Sequence, residues 1–400
     1  MKISILLPYK ENFSPTYAGA VSLFIKDMVK LSKFRKDITV YGNTNLKKIF
    51  KLKNKNIELK KNLIQSGSKL YVEKFLRYER ENPSDLIEIH NRPNYFHLIN
   101  KNKINQKIVL YFHNDPLTMT GSRSTLERKK LLSDATKIVF NSHWSRKRFL
   151  EGIEGLHVNS EKLNVIYQST KPVNVNLENK KNWITFVGKL NRAKGYDLFG
   201  RAVLKILKKH KKWKGVVIGD EPRSAISFKH KRLDVLGFVN HDKVLKIFEK
   251  TSIAVACSRW DEPLGRTSLE ASSRGCATII SNKGGLPETV THGVILKELS
   301  VQSVYGEIKK LIVWRSNLST ILITGGSGYL GRCLASKLRD RGRVVIGARN
   351  QANLQWAAQT TKVDSVPLNV SDIESVRDAV TDISPNILIH AAASKFVDLA

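Results

Sequence analysis

The sequence is poor in cysteine, in long apolar segments and in acidic side chains. Its three cysteines, Cys257, Cys276 and Cys333, form no CxxC pair, which excludes a disulfide framework and a cysteine-based zinc site. No apolar run approaches the ~18 residues of a membrane-spanning helix. The apolar run after Met1 is too short for a signal peptide and predicts a first β-strand instead. We therefore expect a cytoplasmic protein.

The shortage of acidic residues leaves a large positive charge. Lysine and arginine outnumber aspartate and glutamate by 68 to 35, which gives a net charge of +33. Such a field favours polyanions, namely nucleic acid, anionic lipid head groups or diphosphate substrates. The alternative is that lysines spread along the whole chain only solvate the surface. The sequence has no aromatic-interleaved basic motif of an RNA-binding module, so we expect no nucleic-acid partner.

The composition changes near residue 318. Residues 1–318 contain 43 lysines, with 59 basic against 28 acidic side chains. Residues 319–400 contain 3 lysines, with 9 basic against 7 acidic side chains. This contrast predicts that two sequences of different origin meet here, and that residues 319–400 form a domain of their own.

Before this break, apolar runs alternate with amphipathic segments such as residues 197–209, a pattern typical of parallel α/β sheets. The predicted strands form two series. The first is 3–7, 38–41, 86–89, 107–112 and 137–140, and the second is 183–187, 214–218, 233–236, 252–256 and 277–280. A polar linker is predicted over 169–182. We therefore expect two doubly wound sheets with a cleft between them, in domains 1–172 and 173–317.

Two glutamates eight residues apart are candidates for binding a ligand. Glu262 falls in a loop that contains Gly265, and Glu270 falls within the helix predicted over 267–274. A helix start attracts a phosphate group, and carboxylates accept hydrogen bonds from vicinal hydroxyls. The pair therefore suits a ligand that carries a sugar, a ribose and phosphate. The alternative is a solvated helix face.

Lys189 and Lys194 flank the glycine turn that follows the strand predicted over 183–187. Two ammonium groups at this turn would neutralise a diphosphate, although each alone would be read as surface charge. His90 and His113 each end or follow a predicted strand of the first series. Ligands of such sheets bind at the carboxyl edge, so both histidines are candidates for the cleft.

In this combination, residues 1–313 resemble the retaining GT-B glycosyltransferases, the nucleotide-sugar transferases with an E-x7-E motif. The resemblance implies two Rossmann-like domains, with the donor bound mainly by the second. It implies transfer without a metal ion, in which the departing diphosphate helps to deprotonate the acceptor. The sequence has no Asp-x-Asp metal motif, in keeping with this.

The resemblance also implies roles for single residues. Glu270 would hold the ribose hydroxyls, Glu262 the donor sugar, Lys189 and Lys194 the diphosphate, and residues 237–239 would flank the nucleobase. Leu264, Gly265 and Arg266 would pass near the phosphates, His113 would lie near the reacting sugar, and Gly19 would admit the donor phosphate. Lys189 stands where the family usually has arginine, and Gly19 where it often has two adjacent glycines.

Residues 321–331 read as a strand, a glycine turn and a helix start, with the spacing of a dinucleotide-binding loop. The second strand ends in Arg349 rather than an acid, which favours NADP. This segment resembles extended short-chain dehydrogenases, particularly nucleotide-sugar dehydratases and epimerases. The resemblance implies cofactor contacts by Gly325, Gly328, Tyr329, Leu330, Gly331 and Arg349. The family's Tyr-x-x-x-Lys pair and sugar-binding half have no counterpart, so we predict a partial NAD(P)-binding Rossmann fold without redox activity.

The sequence thus predicts a hexosyltransferase that moves a sugar from a UDP- or GDP-sugar to a surface-polysaccharide or lipid-linked glycan. Transfer itself is expected to need no cofactor. The basic surface favours peripheral contact with the inner face of the membrane. Two alternatives stay open at this point: an NADP-dependent nucleotide-sugar dehydratase or epimerase whose transferase part only binds, and a non-catalytic basic scaffold.

Overall fold

The structure is a computed structural model that divides into two compact units, Met1–Glu307 and Ile308–Ala400. Each unit is described by itself. The residues that the structure describes are 1–59, 66–102, 105–154, 160–171, 173–317 and 320–392.

The first part of unit Met1–Glu307 is a parallel sheet covered by helices on both faces. Its strands are β1 (Ile3–Leu6), β2 (Ile38–Gly42), β3 (Asn54–Asn56), β4 (Leu86–His90), β5 (Lys107–Phe112), β6 (Lys137–Phe140) and β7 (Leu163–Val165). Their order is β3-β2-β1-β4-β5-β6-β7. The helices are α1 (Ala20–Leu31), α2 (Gly67–Glu81), α3 (Pro93–Asn100), α4 (Thr125–Asp134) and α5 (His143–Leu150). Alternate strand residues enter two apolar cores, so that Ile5 packs with α1 while Leu6 packs with α2.

A second parallel sheet follows in the same unit. Its strands are β8 (Lys181–Val187), β9 (Lys214–Ile218), β10 (Leu233–Val235), β11 (Thr251–Ala256), β12 (Ala277–Ser281) and β13 (Val294–Leu296), in the order β10-β9-β8-β11-β12-β13. The helices are α6 (Tyr196–Lys209), α7 (His241–Lys250), α8 (Arg266–Ser272) and α9 (Val301–Asn317), of which α9 runs across the division between the units. The apolar positions of α6 recur at helical spacing, and Phe199, Val203 and Ile206 are fully buried.

Unit Ile308–Ala400 contains a smaller parallel sheet. Its strands are β14 (Thr320–Thr324), β15 (Arg343–Ala348), β16 (Asp364–Pro367) and β17 (Ile387–His390), in the order β16-β15-β14-β17. Its helices are α10 (Tyr329–Leu338), α11 (Gln351–Thr361) and α12 (Ile373–Ile383). Ile323 and Ile346 are fully buried in the core beneath α10 and α11.

The predicted α/β fold with parallel sheets is confirmed, and all ten predicted strands of the first two sheets occur with ends shifted by two residues at most. Three edge strands of three residues each, β3, β7 and β13, were not predicted. The linker prediction over 169–182 was wrong at its end, because β8 begins at Lys181. The side chain of Lys181 is polar, which suggested a linker, but its backbone pairs with β11. One helix prediction was also displaced, since 267–274 is Arg266–Ser272 in the structure.

Candidate functional site

A cavity of about 260 Å³ lies in unit Met1–Glu307 where strands of both sheets end. His113 reaches it from the turn after β5, Gly188 from the turn after β8, and Ser258 from the turn after β11. Because parallel strands present their carboxyl ends at one edge, residues far apart in sequence meet here. Six predicted site residues line the cavity: His113, Lys194, Glu262, Leu264, Gly265 and Arg266. The lining does not include the other three predicted residues of this unit, Gly19, Lys189 and Glu270.

Lys194 and Glu262 form an ion pair inside the cavity. The ammonium nitrogen Nζ of Lys194 donates to Oε1 of Glu262 at 2.5 Å. The lysine precedes Gly195, whose left-handed backbone (φ 75°) begins α6. A Cβ at this glycine would collide with the carbonyl oxygen of Cys257, so the tight turn that aims Lys194 requires glycine. The carboxylate thus offsets the lysine charge at the position predicted for a diphosphate.

Arg266 joins the second sheet domain to helix α1 of the first. Its Nε donates to Oε1 of Glu270 at 2.7 Å, and its Nη2 donates to Oδ2 of Asp27 at 3.2 Å. The third nitrogen, Nη1, is buried and has no hydrogen-bond partner among the described residues. A buried guanidinium N–H without an acceptor is costly, and this one belongs to a residue that lines the cavity.

Glu270 is buried behind the cavity wall and held by two donors. His241 Nε2 and Arg266 Nε both contact its Oε1 at 2.7 Å. Burial alone would raise the pKa of Glu270, but the hydrogen bonds and charges of His241 and Arg266 outweigh it and lower the pKa. The carboxylate therefore stays ionised. No protein donor to Oε2 is recorded among the described residues, so that oxygen can accept from a hydroxyl group.

His113 sits in a chain of buried polar groups. Its Nδ1 lies 3.1 Å from Nε2 of Gln168, and its Nε2 lies 3.0 Å from Nδ1 of His90. His90 in turn contacts Oε2 of Glu88 through Nε2 at 3.4 Å. Burial, and then the neighbouring His90, lower the pKa of His113 well below its usual value, so the ring is neutral. Both ring nitrogens are engaged, and a sugar that bonded to either would replace Gln168 or His90.

At the start of α1, the carboxylate of Glu11 lies against Gly19. Glu11 Oε1 accepts from the backbone N–H of Ser22 at 3.1 Å, in the first turn of the helix. A Cβ at residue 19 would collide with the same oxygen. The glycine expected to admit a phosphate thus admits Glu11. A carboxylate meets the same need as a phosphate, because both place negative charge at the positive end of the helix.

Lys189 does not line the cavity. It is exposed, and its charge contributes to the low pKa of Glu221, after the larger effect of Arg223. The same role was predicted for both lysines of this turn, whereas only Lys194 is part of the cavity lining.

Further contacts bridge the two sheet domains of this unit. The Glu288 carboxylate accepts from the backbone N–H groups of His143 and Trp144 and from the hydroxyl of Tyr167, each at 2.8 Å. Burial, and then Glu288, raise the pKa of Tyr167 to about 12. The rings of Tyr17 and Phe238 stack with their centroids 5.0 Å apart, and each is about half exposed.

The second unit carries the predicted glycine turn between β14 and α10. Gly325 has a left-handed backbone (φ 70°), and a Cβ at Gly331 would collide with its carbonyl oxygen. Tyr329 and Leu330 are exposed in the first turn of α10, and Arg349 is exposed after β15. The turn geometry therefore matches the spacing that predicted it.

Sequence reasoning missed Asp27, Gln168, His241 and Glu288 as parts of this region. No local motif marks them, since Asp27 meets Arg266 across 239 residues of chain. None of the described helices is long and apolar enough to cross a membrane. Within the described ranges, no group of three His, Cys, Asp or Glu side chains is arranged to hold a metal ion.

Comparison with known proteins agrees with this architecture. The model of the family Glycosyl transferases group 1 matches residues 168–316, and that of the NAD dependent epimerase/dehydratase family matches residues 321–400. YtcC of Bacillus subtilis (strain 168), which is named a glycosyltransferase, is 23% identical over 322 residues, 74% of this chain and 78% of its own. The lipopolysaccharide core biosynthesis mannosyltransferase LpcC of Rhizobium leguminosarum bv. viciae is 30% identical over 116 residues, 26% of this chain and 33% of its own.

Among solved structures, that of Anabaena Alr3699/HepE in complex with UDP superimposes with a TM-score of 0.62 at 18% identity, covering 79% of this chain and 91% of the other. The two sheet domains of residues 1–307 therefore have the GT-B fold, and a Rossmann-like segment follows them. Taken with the family match and the named relatives, this makes the chain a glycosyltransferase.

Proposed function

We propose that the protein transfers a sugar from a nucleotide-sugar donor, with retention of configuration and without a metal ion, to a glycan acceptor. The observation that carries the proposal is the meeting of Lys194, Glu262 and Arg266 around one cavity. Two cations and a carboxylate at the carboxyl edge of two sheets suit a diphosphate linked to a sugar.

In this proposal Lys194 and Arg266 bind the diphosphate, next to the loop residues Leu264 and Gly265. Glu262 accepts from a hydroxyl of the donor sugar once the phosphate has taken Lys194. Arg266 replaces Lys189 as the second cation at the diphosphate, because Arg266 lines the cavity and Lys189 does not.

The nucleoside lies toward Glu270 and Phe238. Glu270 Oε2 accepts from a ribose hydroxyl while His241 and Arg266 hold the other oxygen in place. The ring of Phe238 stacks on Tyr17 and is about half exposed, and its other face is offered to the base. UDP is the first nucleotide to test, because the structural neighbour HepE was crystallised with UDP.

Transfer then proceeds at the donor's anomeric carbon. The acceptor hydroxyl attacks on the face that the diphosphate leaves, and its proton passes to a departing phosphate oxygen. Lys194 and Arg266 stabilise the charge that grows on the leaving group, which is an electrostatic contribution of preorganised donors. His113 lines this region and shapes the sugar pocket through its neutral ring.

We assign the acceptor to domain 1–172 and the donor to domain 173–317. A surface-polysaccharide or lipid-linked glycan is the acceptor class that we infer, supported by the named role of LpcC in lipopolysaccharide core biosynthesis. The epimerase and scaffold alternatives predict no transfer by the purified chain.

A melting experiment tests the donor site. UDP, GDP and ADP are added separately at increasing concentration, and a ligand that binds only the native state raises the midpoint, by about 2.7 kcal/mol of stability at 100 times its Kd. We expect UDP to raise the midpoint, Lys194→Met to remove the rise, and the matched control Lys189→Met to retain it. Absence of a shift with every nucleotide, or equal effects of the two substitutions, would overturn the proposal.

A second activity, NADP binding by the last unit, is favoured by the tight Gly325–Gly331 turn. Gly325, Gly328, Tyr329, Leu330 and Gly331 would surround the pyrophosphate, and Arg349 would hold the 2′-phosphate. When bound, NADP supplies hydride chemistry, and residues 319–400 contain no Tyr-x-x-x-Lys pair. A rise in NADPH fluorescence on addition of the protein is expected, and its absence would reject this site.

A further inference from the structure

A second cleft lies on the first sheet domain, away from the cavity. Its volume is about 610 Å³, and its lining contains five cations and no acidic residue. The cations are Arg35, Lys36, Lys47, Lys51 and Lys53, and all five are exposed. We call this feature the basic cleft.

The charge of the basic cleft is not compensated within the described protein. No ion pair or side-chain hydrogen bond is recorded for any of its five cations among the residues that the structure describes. Asp37 is the acid nearest in sequence to Arg35 and Lys36, and it is exposed and outside the lining. Like charges held together repel one another, so an anionic partner would stabilise this arrangement.

The basic cleft is separate from the donor site. Arg35 and Lys36 come just before β2, and Lys53 comes just before β3, so they lie near the amino ends of parallel strands. The donor cavity is lined by residues that follow strands, at the opposite edge. A group bound in the basic cleft therefore leaves the donor site accessible.

Apolar side chains alternate with the cations of this segment. Ile49, Phe50 and Leu52 line the base of the cleft and pack against the core between the sheet and α1, whereas Leu31 at the end of α1 is 78% exposed. Exposed cations near an exposed leucine suit the boundary between lipid head groups and acyl chains. A nucleic acid would call for exposed aromatic faces, whereas Phe50 packs edge-on against Phe13 in the core.

We propose that the basic cleft docks the protein on a bilayer surface that carries anionic phospholipids. Each cation near such a surface strengthens binding about fivefold at moderate salt. The inference concerns attachment only and does not depend on the donor chemistry.

Vesicle sedimentation tests the proposal. The full chain is mixed with vesicles of pure phosphatidylcholine or of phosphatidylcholine with about one third phosphatidylglycerol, at low and high salt. The test variant is Lys36→Gln/Lys47→Gln/Lys51→Gln. The matched control is Lys205→Gln/Lys208→Gln/Lys212→Gln, which removes the same charge from exposed positions of the second sheet domain.

We expect binding only to the anionic vesicles, a decrease at high salt, a loss of roughly 100-fold in the test variant, and little change in the control. Unchanged melting of the test variant with UDP would show that it is folded and that its donor site is intact. Equal losses in the two variants would overturn the proposal, since total charge alone would then govern binding. Binding to a single-stranded oligonucleotide without binding to vesicles would also overturn it, as would competition by inorganic phosphate at concentrations too low to screen charge.

Discussion

Because Glu262 pairs with Lys194, we expect removal of the Glu262 charge to strengthen nucleotide binding and to weaken sugar transfer. A phosphate oxygen that binds the Lys194 ammonium would lie about 5 Å from the Glu262 carboxylate, given the 2.5 Å ion pair. Two unit charges at that distance repel by about 3 kcal/mol at an effective dielectric constant near 20. Because the Lys194 side chain is 33% exposed, solvent screening reduces the repulsion to about 1–2 kcal/mol.

Glu262→Gln should therefore strengthen the binding of UDP alone by about five- to thirtyfold. The same substitution should lower kcat/KM for transfer, because the donor sugar loses its charged acceptor. Calorimetric titration of UDP and a transfer assay on one preparation measure both effects. Glu151→Gln, which breaks an ion pair with Arg148 in the first sheet domain, is the control and should change neither. If Glu262→Gln left UDP affinity unchanged or weakened it, the diphosphate would not share Lys194 with this carboxylate.

Three further predictions concern stability and the second unit. His113, whose pKa is lowered in the fold, should remain neutral while the unfolded chain binds a proton below pH ~6.5, so stability should fall by about 1.4 kcal/mol from pH 7.5 to 5.5. Melting at both pH values should show a smaller fall in His113→Gln, and an equal fall would refute this. Gly195→Ala should cost roughly 2–3 kcal/mol in denaturant unfolding, whereas Gly306→Ala, with open space around its Cα, should cost nothing. Arg349→Ala should weaken NADP binding about tenfold and leave NAD binding unchanged, and equal losses for both nucleotides would contradict the 2′-phosphate contact.

The fold was predictable because buried parallel strands are nearly continuous apolar runs, as in Lys107–Phe112 of β5. The strand Asn54–Asn56 has no apolar residue, and only its pairing with β2 reveals it. Local pattern therefore predicts the central strands well and the edges poorly.

The candidate site could also be predicted only in part. The position of His113 and Lys194 after strands was enough to predict that both approach the carboxyl edge, and both line the cavity. Which partners they meet could not be predicted, because Gln168 and Glu262 come from distant segments. The catalytic and binding roles of all these residues stay predictions until the variants are measured.

The hydrogen bonds of the Glu288 carboxylate between the two sheet domains affect the expected rate of turnover. It holds the start of α5 and the hydroxyl of Tyr167 with three hydrogen bonds from the loop after β12. Separation of the two domains must exchange all three for bonds to water, and bonds to a charged acceptor contribute about 1.5–3 kcal/mol each when they form. These three hydrogen bonds therefore favour contact between the two sheet domains even without a bound ligand. Opening, and with it the release of products, is then a candidate for the slow step of the cycle.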